Sequence, residues 1–372
     1  MDEYDNSGRN DCNRVFCDRV CFFIADEAGV QVKYGSVCSG VEAASLAWES
    51  FGWEPQFFSE IDPFPSAVLA ERWPGVPNFG DMTKFKEWED AAIDVLVGGT
   101  PCQSFSVAGL RAGLNDPRGN LMLTYLAVAE KYRPRWVVWE NVPGVLSSNR
   151  GRDFGSLLGG LEKLGYGFAY RILNAKNFGV PQQRRRVFVV GYLGDWRRAA
   201  AVLFERESMR RDIASSRQQG EETTYKTSPC LRESGVGTAR IGDTIGSDCV
   251  IAMANGQENV VCLQGSMIRG ENAKGGPAGK GWRDDGASFT LLSDAQAHAV
   301  EDVLGVRRLM PIECERLQGF PDNHTKITYR GKDATDTHRY KACGNSMAVP
   351  VMRWIGWRMC MVESFDKRSA RS

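Results

Sequence analysis

The sequence predicts an α/β fold, a doubly wound and mostly parallel sheet, joined to a smaller irregular region. Three observations predict it. Between Val32 and Leu193 short apolar runs alternate with helical patterns, as βα units do. One run, Trp136-Val-Val-Trp-Glu140, is apolar at consecutive positions, as an internal strand covered on both faces requires. Beyond about Gly194 the alternation stops and charge and glycine dominate.

Taken in order, the first strand is expected at Lys33–Cys38, where Cys38-Ser-Gly40 closes it and opens a helix at Val41–Phe51. A second strand, Gln56–Glu60, ends in an acid and leads to a helix at Pro63–Arg72, whose prolines suit a first turn with no amide to satisfy. The third, Ile93–Val97, runs into Gly98-Gly-Thr-Pro-Cys-Gln103. A helix at Asn120–Tyr132, the strand Trp136–Glu140 and a helix at Phe154–Leu164 follow, then strands at Phe168–Leu173 and Val187–Leu193. The pattern divides the chain into an N-terminal extension (1–31), a sheet domain (32–194), an irregular segment (195–306), a closing stretch (307–365) and a tail (366–372). The closing stretch carries helices at Leu309–Gln318 and Ala348–Glu363, the last returning to the sheet domain. Within the irregular segment, Gln264–Gly286 holds seven glycines and reads as a long loop.

The 372 residues include 46 basic and 46 acidic side chains, so no global field draws the protein to nucleic acid. Contact with DNA must come from local patches, and the nine arginines between Arg184 and Arg217 form one. No apolar run reaches about 18 residues, so no membrane span is expected. The polar N-terminus excludes a secretory signal. Eleven cysteines, an odd number, fit reduced thiols in a cytoplasm. Cys12, Cys17 and Cys21 lack a fourth ligand, so no metal is expected.

Ligands of open α/β sheets bind beyond the carboxyl ends of the strands. Cys38, Gly40, Glu60, Cys102 and Glu140 all fall on that rim, and acids at strand ends are seldom core residues. A glycine after the first strand and an acid after the second suit a nucleoside ligand. Only one glycine stands in Ser39-Gly-Val-Glu-Ala-Ala44, which weighs against a dinucleotide. Pro101 stiffens the turn that presents the Cys102 thiol, a strong nucleophile once ionised. The three histidines, His298, His324 and His338, lie outside the rim motifs, so a cysteine hydrolase has no obvious base.

In this order the motifs resemble those of the cytosine-C5 DNA methyltransferases, with wording like that of phage and prophage members. Tyr34-Gly-Ser-Val-Cys-Ser-Gly40 is similar to the first motif. Ser59-Glu-Ile-Asp62, Gly80-Asp-Met-Thr83, Pro101-Cys-Gln103, Glu140-Asn-Val142 and Gln182-Gln-Arg-Arg-Arg186 resemble those that follow. Arg307 to Pro321 resembles the ninth and Gly344-Asn-Ser346 the tenth. The resemblance implies a Rossmann-like domain that binds S-adenosylmethionine (SAM) and methylates a flipped cytosine in double-stranded DNA through a covalent cysteine adduct. It implies catalytic roles for Cys102, Glu140, Arg184 and Arg186, supported by Pro101, Gln103, Asn141 and Gln182. Cofactor contacts are expected at Cys38, Ser39, Gly40, Val41, Glu60, Ile61, Asp81, Met82, Asn345 and Ser346. Segment 195–306 falls where the family has its target-recognition domain, making Arg197, Arg198, Arg269, Lys280 and Arg283 candidate DNA contacts. A monomer in the cytoplasm of a bacterium or phage-infected cell is implied, with a restriction endonuclease as a possible partner. The same motifs would also serve methylation of tRNA, or a relative that binds DNA without catalysis.

Overall fold

The computed structural model describes residues 31–101, 121–204, 262–263, 282–283, 299–302 and 305–369. Six strands form the main sheet: β1 (Lys33–Val37), β2 (Glu54–Ser59), β3 (Val95–Gly98), β4 (Trp136–Asn141), β5 (Tyr166–Asn174) and β6 (Arg185–Leu193). Their order is β2-β1-β3-β4-β6-β5. The pairs β1–β2, β1–β3 and β3–β4 are parallel, whereas β6 runs antiparallel to both β4 and β5. The first four strands are separated by helical crossovers, which parallel pairing demands, while β5 turns directly back into β6.

Helices α1 (Ala43–Trp48), α2 (Pro63–Arg72), α3 (Leu121–Tyr132) and α4 (Arg152–Lys163) alternate with the strands. Helix α2 keeps the expected limits: Asp62 caps it, accepting from the Phe64 amide at 3.2 Å, with proline in the first turn. The expected helix at Val41–Phe51 is shorter and ends in a 3-10 turn at Glu49–Phe51. Its start is delayed because Gly40 and Glu42 hold positive φ values of 59° and 62°.

Each sheet face buries its own core. On one face, Tyr125 and Leu126 of α3 and Leu157 and Leu161 of α4 pack with Phe57 and Trp88. On the other, Trp48 of α1 packs with Val202, Met352 and Ile355. The last two belong to α8 (Val349–Ser369), so the final helix does return to the sheet domain. Trp48 Nε1 donates to the Met352 carbonyl at 2.9 Å, and Gly356 leaves room for the indole, since a Cβ there would lie 2.5 Å from Nε1.

Two helices depart from the sequence reading. Helix α5 (Trp196–Leu203) lies where the irregular segment was expected to begin, yet Ala199, Val202 and Leu203 are fully buried in the second core. Gly167 of β5 meets its first turn, where a Cβ would fall 2.2 Å from the Trp196 amide nitrogen. Helix α5 thus packs into a core shared with the sheet. Helix α7 (Asp336–Asn345) follows α6 (Pro311–Gln318) in a stretch with no expected element. In the irregular segment, β7 (Cys262–Leu263) pairs antiparallel with β8 (Trp282–Arg283), and β9 (Ala299–Asp302) with β10 (Gly305–Arg308). The N-terminal extension and its three cysteines lie outside the described residues. Among those described, no group of side chains could hold a metal ion and no helix is long and apolar enough to cross a membrane. Cys38, Cys314, Cys343 and Cys360 are free thiols.

Candidate active site

An open cleft lies beyond the carboxyl ends of β1 and β3, lined by Ser36, Cys38, Gly40, Glu42, Gly99, Glu140, Asn345 and Ser346 among others. The chain passes from β1 outward to β2 and returns on the other side of β1 as β3. The cleft thus occupies the point where strand order reverses, the usual ligand position in such sheets.

The β1–α1 loop shapes one wall. Cys38 adopts φ 51°, an uncommon value for a side chain with a Cβ, and its sulfur lies 3.4 Å from Met82 Sδ. Burial, with Glu60 nearby, pushes the Cys38 thiol up to about 12, so it stays protonated and serves as a wall. At Gly40 a side chain would project into open space, leaving backbone as the surface offered to a ligand. Glu60 bridges this loop to the next one: Oε2 accepts from the Gly40 amide at 2.8 Å and Oε1 from Asp62 at 2.7 Å. Burial raises its carboxyl above the usual range despite those bonds. This rim offers bare backbone and a carboxylate acceptor, which fits a nucleoside with ribose hydroxyls, the class to which SAM belongs.

The opposite wall carries the candidate chemistry. Glu140 ends β4, and Arg186 of β6 pairs with it, Nε to Oε1 at 3.1 Å, both largely buried. Burial lowers the Arg186 guanidinium and the Glu140 charge counters that shift. Gly99 makes room for the carboxylate, since a Cβ there would sit 3.0 Å from Glu140 Oε2 and 3.4 Å from Met347 Cε. Gly99→Ala should therefore displace Glu140 and lower kcat/KM between about tenfold and a hundredfold. Steady-state kinetics beside a thermal melt checks this, with the melt expected to stay close to wild type.

Cys102 and Gln103 lie outside the described residues, but the turn leading to them is held firmly. Thr100 is buried, accepts at Oγ1 from Trp139 Nε1 (3.0 Å), and accepts at its carbonyl from Asn141 Nδ2 (2.8 Å). Both donors belong to β4, so the strand that carries Glu140 also clamps the chain two residues before the cysteine. Asn141, expected to support the cysteine loop, holds the Thr100 carbonyl. Pro101 is exposed directly after the clamp.

Gln182 and Arg184 brace backbone beside the cleft. Gln182 Nε2 donates to the Leu317 carbonyl at 2.9 Å. Arg184 Nη2 donates to the carbonyls of Gly344 (3.0 Å) and Ser346 (2.7 Å). Arg184, expected among the catalytic groups, makes hydrogen bonds that pin the Asn345–Ser346 wall of the cleft. Complete burial pushes its guanidinium well down.

Of the expected cofactor contacts, Cys38, Ser39, Gly40, Asn345 and Ser346 line the cleft. Val41 does not: its side chain is fully buried in the core, and its carbonyl lies 2.8 Å from His324 Nε2. Met82 is also buried, beneath Cys38. Asp81 caps a 3-10 turn through the Thr83 amide at 2.9 Å, and Ile61 is 69% exposed beside Glu60. Arg197 and Arg198, expected as DNA contacts, sit in the first turn of α5. They follow Leu193, whose strand end pairs with Tyr166 and lies beside the start of β4, at the sheet edge opposite the cleft. Asp195 and the Tyr192 hydroxyl occupy Arg198 there. Arg269 and Lys280 lie outside the described residues, and Arg283 is described only as backbone in β8. Sequence reasoning missed Ser36, Glu42, Ala43, Ala44, Gly99 and Met347 in the cleft lining. All but Met347 lay in stretches already singled out.

Comparison with known proteins agrees with this geometry. The family model described as C-5 cytosine-specific DNA methylase matches residues 32–360. A type II methyltransferase of Bacillus subtilis (strain 168) is 30% identical, over 87% of this chain and 74% of its own length. A protein of Escherichia phage P1 named DNA N-6-adenine-methyltransferase is 35% identical, over 88% of this chain, which spans only 61% of that relative. Among solved structures, a putative DNA modification methyltransferase encoded in an Escherichia coli prophage aligns with TM-score 0.53 and 17% identity, covering 90% of this chain and all of that one. The Dnmt2 methyltransferase of S. pombe aligns with TM-score 0.53 and 14% identity, over 87% of this chain and 96% of that one. At those identities the structural likeness speaks for the fold alone.

Proposed function

The chain belongs to the C-5 cytosine-specific DNA methylase family, and from that premise we propose that it transfers a methyl group from SAM to C5 of a cytosine flipped out of double-stranded DNA. The observation that carries this reading is the Glu140–Arg186 pair at the cleft on the sheet rim, with Glu140 on the strand that clamps the turn before Cys102.

Cytosine C5 is a weak nucleophile. Addition of the Cys102 thiolate to C6 breaks the aromatic system and makes C5 enamine-like, dividing one hard step into easier ones. Glu140 holds N3 and the exocyclic amine, and a proton there stabilises charge developing in the ring. Arg186 orients Glu140 and meets O2 of the base. SAM supplies an electrophilic methyl on a sulfonium. Loss of the C5 proton and expulsion of the thiolate then restore the aromatic ring and free the enzyme. A stacked base is out of reach of these groups, so it must be extruded. The enzyme acts as a monomer in the cytoplasm, with segment 205–306 reading the target.

The adenine activity in the name of the phage P1 relative is said of that longer protein. The test separates the possibilities by product. Purified protein is incubated with labelled SAM and either duplex DNA or tRNA, and the modified nucleoside is identified. Expected is 5-methylcytosine in DNA. N6-methyladenine, or label in tRNA alone, would overturn the proposal.

A further inference from the structure

Glu42 is the least expected group in the cleft. It lines the cavity, yet its residue is only 1% exposed. Ser36 Oγ donates to Oε2 at 2.8 Å and the Ser45 amide donates to Oε1 at 3.1 Å, while the Tyr34 hydroxyl donates to Ser45 Oγ at 2.6 Å. Among the described residues no cation pairs with this carboxylate. The charged or titratable groups around it are Tyr34 and Cys38 on the β1 side, Glu60 after β2 and Glu140 after β4, whose charge Arg186 already answers. Capping α1 through the Ser45 amide accounts for one oxygen only, and serine, aspartate or asparagine caps helices as well. A buried carboxylate without a counter-ion is costly unless a cation arrives to meet it.

We propose that Glu42 supplies the counter-charge for the positively charged methionine arm of SAM. This rests on the reading of the cleft as the cofactor site. SAM carries two candidate cations, the sulfonium and the α-ammonium. S-adenosylhomocysteine, the product of methyl transfer, keeps only the ammonium. A carboxylate has lone pairs to spare beyond the two bonds it already accepts, so the cation adds to the serine network without displacing it.

The sign of the pH dependence follows. Burial and the neighbouring Glu60 push the Glu42 carboxyl up to about 7. A cation binds its ionised form, so affinity for SAM rises as pH rises through that value and levels off above it. Titration calorimetry on the full chain should show SAM bound about tenfold more tightly at pH 8 than at pH 6, with proton release near neutrality. A free α-amino group titrates at about 7.7–8.0. S-adenosylhomocysteine carries the same amine, so the ratio of the two affinities reduces its influence. If S-adenosylhomocysteine binding stays flat, the sulfonium is the group held; if it shares the slope, the ammonium is. Glu42→Gln keeps an acceptor for Ser45, so its apo melting temperature should not fall, while the pH slope vanishes and SAM affinity at pH 8 drops at least tenfold. Wild-type binding that is intact and flat with pH overturns the proposal, as does a slope that survives in Glu42→Gln. Absence of SAM binding at every pH would instead overturn the cofactor reading, and this inference with it.

Discussion

Cys102→Ser should reduce methyl transfer by at least about a thousandfold while SAM binding remains near wild type, because the lost group is the nucleophile of a covalent mechanism. A serine hydroxyl has almost no ionised fraction near neutral pH, so addition to C6 fails at the step that activates C5. The residue follows a turn fixed by Trp139 and Asn141 through Thr100, and those bonds do not involve the sulfur. Two measurements decide it. Duplex DNA containing 5-fluorocytosine should form a stable covalent complex with wild type and none with the variant, and calorimetry should give similar SAM affinities for both. Adducts formed by Cys102→Ser, or full turnover, would remove this residue from the mechanism.

Glu315→Ala should destabilise the protein by about 3–5 kcal/mol, because it strands a buried cation. Glu315 is fully buried at the heart of a network joining α6 to α7. Oε1 accepts from the Thr325 amide (2.8 Å) and from Arg339 Nη2 (3.0 Å), and Oε2 from the Asn323 amide (2.8 Å). Arg339 Nε also donates to Thr325 Oγ1 at 3.0 Å. Removal of the carboxylate leaves Arg339 and two backbone amides without their acceptor. Damage should reach the cleft, because Gln318 of α6 holds the Cys343 carbonyl of α7 (2.7 Å), next to the wall that Arg184 pins. Chemical denaturation measures the loss. The double variant Glu315→Leu with Arg339→Met should recover much of it, since an apolar pair strands no charge. A loss below about 1 kcal/mol in Glu315→Ala would show the network to be dispensable.

The parallel sheet was legible because its strands are compact apolar runs separated by helices with ordinary signals. Pro63–Arg72 kept both its limits, where proline and a capping aspartate mark the start. Helix α5 was not legible because Arg197 and Arg198 make the stretch look solvated, while the three small or aliphatic residues that dock it, Ala199, Val202 and Leu203, form a narrow stripe. Helix α7 was hidden for a different reason. Asp336-Thr-His-Arg-Tyr-Lys-Ala-Cys-Gly-Asn345 is polar by composition, and it is anchored through the charge of Arg339 on a glutamate 24 positions earlier. Of the site, the residues at strand ends were readable because strand ends define the rim. The bonds of Arg184 were not legible, because only the fold reveals that it reaches carbonyls 160 and 162 positions away.

The docking of α8 onto α1 has a consequence for biosynthesis. Trp48 emerges from the ribosome some three hundred residues before Met352, the carbonyl that receives its indole proton. Until that late segment is made, one face of the nascent sheet lacks the cover that α8 supplies, and contacts this remote in sequence form slowly. A product terminated before α8 would therefore be a sticky, inert fragment.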